Sequence, residues 1–315
     1  MLPALKDYKR VIVTGGGGVL GTALSQLIAN GSGLQVLAPS RKDLDLLNSS
    51  DVSSYFQHFK PDLVLHLAGK VFGVKGNLDF GGQSYYENSL INLNVIEASR
   101  LAGVKKVVAA GTAAIYSDIV PLPMSEDDLW LGAPHGSEGP YGHSKRGMLA
   151  QLEAYKQQYN IDFAYLILTN LYGPNDKFDE LYGHVVPALI SRFEAAAREN
   201  KEEVVCWGDG SPTRDFLYSA DAARAFLFSA AYGHGAMNVA TGDAIPIKTL
   251  VNEIARKVGF QGRIEWDITK PLGQKERSYN VERIKSTGWL PEHNIEQGLS
   301  KTIDWYKKNA ESVRR

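Results

Sequence analysis

Short apolar runs alternate along the chain with segments whose apolar positions recur every three to four residues. The alternation predicts strands separated by helices. Val11-Ile12-Val13, Gln35 to Leu37, Asp62 to Gly69, Lys106 to Ala110 and Phe163 to Leu168 read as strands. The stretches 22–29, 52–59, 84–101 and 148–159 carry helical spacing between them, with Ser49-Ser50-Asp51 as the cap of the second. Strand and helix in this order predict an α/β fold built on a doubly wound parallel sheet, whose ligands bind beyond the carboxyl ends of the strands.

After Leu168 the rhythm changes. Asn170-Leu171-Tyr172-Gly173-Pro174-Asn175-Asp176 reads as loop; then come a helix over 184–198, a strand over 204–207 and a helix over 220–231 capped by Ser219. Pro246 introduces a further helix to Val258, and 295–308 forms a last amphipathic one. The expected organisation is a first domain over 1–170 with a returning segment around 215–243, and a smaller lobe from 171–214 and 244–315.

The first strand runs into Thr14-Gly15-Gly16-Gly17-Gly18-Val19-Leu20-Gly21 and then a helix. Glycines let the backbone turn tightly against a pyrophosphate, whose charge then sits at the positive helix N-terminus. Two spacings fit, Gly16-x-Gly18-x-x-Gly21 and Gly15-x-x-Gly18-x-x-Gly21, so the register stays open. The second strand ends without the acidic residue that would grip the ribose of NAD. Ala38-Pro39-Ser40-Arg41 stands there instead, and Arg41 can pair with the 2′-phosphate of NADP, a solvated loop cation being the alternative. Asp45 and Leu46 follow closely enough to border the adenine.

Net charge is −1, with 34 Lys and Arg against 35 Asp and Glu, so nucleic acid and anionic membrane surfaces are not expected partners. No apolar run approaches the roughly 18 residues of a membrane span, and 1–10 lacks a secretory apolar region; a cytoplasmic location is expected. A single cysteine, Cys206, excludes an internal disulfide framework, and the seven histidines show no metal-ligating spacing, so no bound metal is expected. His66, inside an apolar run, reads as a satisfied core histidine.

Of fifteen tyrosines only Tyr141 has a lysine, Lys145, four residues on. Pro140 suits the first helical position and places both on one helical face. An ammonium beside a phenol is expected to bring its pKa down from ~10, toward efficient proton transfer. Tyr141 would then protonate a carbonyl oxygen as hydride reaches the carbon, with Thr112 bonded to the same oxygen and Lys145 also holding the nicotinamide ribose. The bland alternative is an exposed Tyr/Lys pair and a strand-end threonine.

These motifs, together with Arg41 to Asn48, Ala68 to Val74, Tyr86-Glu87-Asn88, Thr169 to Phe178, His184 to Leu189 and Trp207 to Leu217, resemble the extended short-chain dehydrogenases/reductases. Within that family they are similar to the GDP-4-keto-6-deoxymannose epimerase-reductases. The resemblance implies a Rossmann domain holding NADPH/NADP through Gly15, Gly18, Val19, Leu20, Gly21, Arg41, Asp45, Leu46, Ala68, Gly69, Lys70 and Asn88, along with Tyr141 and Lys145. It further implies a GDP-sugar substrate met by Val71, Phe72, Ala114, Asn170, Val185, Trp207, Arg214 and Arg277, and a homodimer formed through a four-helix bundle.

Departures from the family pattern sharpen the expectation. In the epimerase-reductases a cysteine and a histidine move protons at C3 and C5; here the histidine is His184, but the cysteine position is Ala114. Phe72 replaces a small glycine, and the basic pair after Lys270-Pro271 appears as Glu276-Arg277. The expectation is therefore C4 reduction of a GDP-4-keto-6-deoxy hexose or heptose, with epimerisation weak or absent. A bifunctional epimerase-reductase and a nucleotide-sugar 4-epimerase are the rival enzymes. A non-catalytic NADPH-sensing module would require spoiled catalytic residues, and Thr112, Tyr141 and Lys145 are all present.

Overall fold

The computed structural model describes residues 2–29, 33–72, 74–180, 182–270 and 274–314. The first half alternates β1 (Arg10–Thr14), α1 (Val19–Ala29), β2 (Gln35–Leu37), α2 (Ser49–Phe59) and β3 (Leu63–His66). It continues through α3 (Val74–Asp79), α4 (Gly81–Leu101), β4 (Lys106–Ala110), α5 (Gly139–Tyr159) and β5 (Asp162–Leu168). Then follow β6 (Asn170–Tyr172), α6 (Val185–Arg198), β7 (Glu203–Trp207), β8 (Thr213–Tyr218), α7 (Ser219–Tyr232) and β9 (Gly235–Val239). The chain closes with β10 (Ala244–Pro246), α8 (Ile247–Val258), β11 (Arg263–Asp267), α9 (Glu282–Lys285) and α10 (Ile295–Asn309).

Six strands form one parallel sheet in the order β2-β1-β3-β4-β5-β9. The sheet grows from β1 to one side through β2 and to the other through β3, which puts a switch point at β1 and a crevice at its carboxyl end. A parallel sheet must be covered on both faces. Accordingly Val11, Ile12, Val13, Leu63, Val64, Leu65, Val107 and Val108 are fully buried. The core around this sheet also takes in Phe226 of α7, Ile284 of α9 and Trp289. A second core gathers Phe178, Ile190, Phe193, Cys206, Leu250, Ile254, Leu299 and Tyr306, beside a mixed sheet β10-β8-β6 and the parallel pair β11-β7.

Three local expectations change. Asn170 to Tyr172 is not loop: it pairs in parallel with β8, Asn170 opposite Phe216, because β8 offers a free edge there. Asn48, not Ser49-Ser50-Asp51, caps α2, its Oδ1 accepting from the amides of Ser50 (3.0 Å) and Asp51 (3.3 Å). Ser219 lies inside α7, because β8 runs straight into the helix and leaves Tyr218 as the capping residue. His66 is a core histidine as expected. Its Nδ1 lies 2.7 Å from Thr14 Oγ1 and its Nε2 3.1 Å from Asn92 Oδ1. Burial holds its pKa down at about 3, so the ring is neutral.

Candidate active site

The glycine turn has the space a dinucleotide needs. Gly15 has φ 75°, and a Cβ there would meet Ala68 N at 2.8 Å. One on Gly21 would meet Gly15 O at 2.3 Å, whereas Gly17 has nothing within 4 Å. Gly15 and Gly21 are therefore fixed by steric demand, and Gly17 faces open space ahead of the N-terminus of α1. Free amides and a positive dipole end converge there, which is the environment a pyrophosphate requires. Val19 and Leu20 open that helix. Arg41 is exposed beyond β2, and its charge helps to lower the pKa of Glu87, after the larger effect of Lys70. Asp45 turns back on the amide of Leu47, and Leu46 O accepts from Asn94 at 2.9 Å.

The loop beyond β3, carrying Ala68, Gly69 and Lys70, is held by Asn88. That fully buried amide accepts from Lys70 N at 2.8 Å and donates to Lys70 O at 3.0 Å and Ser84 O at 2.7 Å. A Cβ on Gly69 would lie 3.1 Å from Asn88 Oδ1 and 3.7 Å from Lys145 Nζ, so this loop meets the helix that follows.

Thr112 ends the β4 segment, its Oγ1 accepting from Ala114 N at 3.2 Å across a short 3-10 turn. Tyr141 and Lys145 lie in the first turns of α5, both buried, with Pro140 at its start. Gly142 allows the approach: a Cβ there would stand 2.5 Å from Ala114 O. Lys145 Nζ donates to Ala110 O at 2.9 Å and lies 5.9 Å from the centre of the Tyr141 ring. The structure thus brings Thr112, Ala114, Tyr141, Lys145 and Gly69 together at the carboxyl ends of β3 and β4.

Electrostatics here depart from the expected sense. Burial pushes Lys145 down to about 8, and burial, helped by the Glu138 carboxylate, raises Tyr141 above the usual phenol value. The lysine does not lower the tyrosine in the free protein because its ammonium bonds a backbone carbonyl and desolvation of the phenolate outweighs it. A phenol that keeps its proton is a donor at neutral pH.

The second group lies on β6, α6, β8 and the 274–279 segment. Asn170 Nδ2 donates to Asp215 O at 2.8 Å. Arg214 is half-buried, its Nη1 donating to Thr213 O at 2.7 Å; burial, then the neighbouring Arg277, lowers its pKa. Arg277 Nη2 donates to Glu138 at 2.8 Å. His184 is the residue ahead of α6, and its Nδ1 lies 3.9 Å from Asp176 Oδ1. Burial lowers the imidazole and the Asp176 carboxylate raises it, with a net rise. Asp176 is itself 3% exposed, and its Oδ2 has no hydrogen-bond partner among the described residues.

Phe72 packs on Phe80 with ring centres 5.5 Å apart, and Phe80 reaches Tyr182 at 6.3 Å. Val71, Val185 and Trp207 are exposed. Among the described residues Arg41, Val185 and Trp207 make no hydrogen bond or ring contact with the Tyr141 group. Sequence spacing gave no sign of Glu138, Phe80 or Tyr182; Asp176 lay inside a motif already singled out, without a role.

A family profile described as NAD dependent epimerase/dehydratase matches residues 11–240. GDP-L-fucose synthase of Escherichia coli (strain K12) is 32% identical over 317 residues, covering 97% of this chain and 99% of that enzyme. A GDP-D-glycero-L-gluco-heptose synthase from Campylobacter jejuni, solved in the presence of NADPH, has a TM-score of 0.89 at 26% identity, over 95% of this chain and 98% of that one. A GDP-mannoheptose C4 reductase from Campylobacter jejuni, solved with NADP bound, has a TM-score of 0.84 at 27% identity, over 95% and 98% of the two chains.

Proposed function

Because the chain belongs to the NAD dependent epimerase/dehydratase family, we propose that it is an NADPH-dependent reductase. Its substrate is a GDP-4-keto-6-deoxy sugar, hexose or heptose, reduced at C4 with little or no C3/C5 epimerisation. The observation that carries this reading is Ala114: a buried methyl stands beside Thr112 and the catalytic helix, where an epimerase needs a group that exchanges protons. No thiol takes its place, since Cys206 is buried in β7 within the second core.

The glycine turn and Arg41 would hold NADPH, which supplies hydride to C4 when bound. Tyr141 gives its phenolic proton to the oxygen on C4, and Thr112 donates a hydrogen bond to the same oxygen. Lys145, cationic below about pH 8, stabilises the phenolate left behind. Arg214 and Arg277 bind the diphosphate, where paired guanidinium groups suit its charge. His184, whose pKa the Asp176 carboxylate raises, would donate a hydrogen bond to the sugar.

The same reading includes a homodimer through a four-helix bundle of α4 and α5 from each copy. The two helices pack together, and Tyr85, Tyr86, Leu93, Leu101 and Tyr159 are exposed on them. Incubating the protein with GDP-4-keto-6-deoxy hexose or heptose in deuterated water without NADPH tests the reductase assignment. Negligible deuterium at C3 and C5 is expected, followed by C4 reduction when NADPH is added. Rapid exchange at both carbons would overturn it.

A further inference from the structure

Arg277 is held in place by its main chain. Thr213 N donates to Lys275 O at 3.0 Å, Met124 N donates to Ser278 O at 2.8 Å, and Asn280 N donates to Met124 O at 2.9 Å. The segment is thus stitched to β8 on one side and to the 124 region on the other. Its guanidinium bonds Gln274 through Nε and Glu138 through Nη2, and Gln274 in turn bonds Asp118, which pairs with His135 at 2.6 Å. The Arg277–Glu138 pair is largely shielded, with side-chain exposures of 12% and 24%.

Beside it Arg214 bonds only a backbone carbonyl and, among the described residues, no carboxylate. Two guanidinium groups therefore share a mostly buried corner in which one carboxylate is directly bonded, and Asp118 acts on Arg277 from beyond Gln274. Such a corner favours an anion carrying more than one charge.

We propose that Glu138 is a positioning residue: a built-in counter-anion that holds Arg277 in the free protein and yields it to the diphosphate of the nucleotide sugar. This rests on the nucleotide-sugar reading above. Glu138 directly precedes α5, three residues ahead of Tyr141, so exchange of its partner places an unpaired carboxylate at the start of the helix that carries the proton donor. The groups facing it are Arg277, Arg214, Tyr141 and His184, and its charge acts on all four.

Removing this charge should move stability and affinity in opposite directions. Glu138→Gln leaves Arg277 shielded without its counter-charge, which lowers the Tm of the free protein. It also removes a competitor for the diphosphate, so GDP should bind about 5- to 20-fold tighter in low-salt calorimetry. Arg277→Ala should bind GDP more weakly, and adding Glu138→Gln to it should give no gain. If Glu138→Gln fails to fold, Glu138→Asp, which draws the carboxylate back from Arg277, should give a smaller gain in affinity.

A purely structural carboxylate predicts that Tm and GDP affinity fall together, and that result would overturn the proposal. So would a gain that persists without Arg277. Unchanged or weaker GDP binding by a folded Glu138 variant, with normal binding by the wild type, defeats the counter-anion idea alone. Failure of the wild-type protein to bind GDP defeats the nucleotide-sugar reading, and the proposal with it.

Discussion

The α5 end and the α6 end of the proposed site each hold one candidate proton donor, and their pKa values are raised for different reasons. Tyr141 is buried, and desolvation of its phenolate is the larger cause of its raised pKa. The His184 side chain is 43% exposed, and its pKa is raised against the effect of burial, chiefly by the Asp176 carboxylate. One is set by the packing of a helix on a parallel sheet, the other mainly by a carboxylate on a loop, with a lesser push from Glu138. Carbonyl reduction requires a donor, which each end of the proposed site would supply.

The largest effect should come from the packed donor. Tyr141→Phe is expected to lower ketone reduction by about 10²- to 10⁴-fold while NADPH binding, followed by fluorescence, changes less than about twofold. An unchanged rate would mean that His184 supplies the proton, and the contrast between the two regions would collapse. Next in size is the neighbour of Tyr141. Lys145 loses its charge as pH rises through about 8, whereas Tyr141, shifted upward, still carries its proton there. The kcat/KM for reduction should therefore fall above about pH 8. Lys145→Arg, charged throughout, should abolish that limb while lowering the plateau by roughly 10-fold through lost fit. A limb that survives the change belongs to another group.

The same two regions differ in how far the sequence disclosed them. Strands Val11 to Val13 and Lys106 to Ala110, the glycine turn and the Tyr141–Lys145 spacing were all legible, because packing periodicity and helical geometry are local properties. The direction of the Tyr141 shift was not, since burial depends on what the helix packs against. Around His184 the pieces of the proposed sugar site come from β6, α6, β8 and 274–279, which are distant in sequence. The strand at Asn170 read as loop because three residues flanked by turn formers carry no alternation of their own; β8 supplies the edge that makes it a strand. Glu138 acts through Arg277, 139 residues on, so no spacing marks it, and Asp176 meets His184 across an irregular loop that carries no periodic pattern.

A smaller effect is expected where the two regions differ in missing chemistry. Ala114→Cys places a thiol at a buried turn beside Thr112 and should raise deuterium exchange at C3 and C5 by about 10-fold, with reduction within about threefold of wild type. Ala114 is buried, so the added sulfur must be accommodated in a packed turn, and a loss of stability on the order of 1 to 3 kcal/mol should accompany it. A stable variant with no added exchange would show that the absent thiol is not what limits proton movement at C3 and C5.

The smallest effect tests the loop-built donor. In Asp176→Asn the amide oxygen can still accept from Lys177 N, which Asp176 Oδ1 does at 2.8 Å, so the change removes charge and leaves the turn. Burial of His184 then acts without its main opposing cause, and the imidazole pKa should fall, read by NMR of the histidine ring nitrogens. A histidine whose folded pKa is raised stabilises the fold below its unfolded pKa and loses that stabilisation as pH rises through the folded value. The Tm difference between wild type and Asp176→Asn should accordingly be largest at acid pH and shrink as His184 titrates. Reduction by NADPH should change less than about threefold, because Tyr141 remains the donor to C4. If reduction instead fell as far as in Tyr141→Phe, the α6 end would be the source of the proton, and the packed tyrosine would have only a structural part.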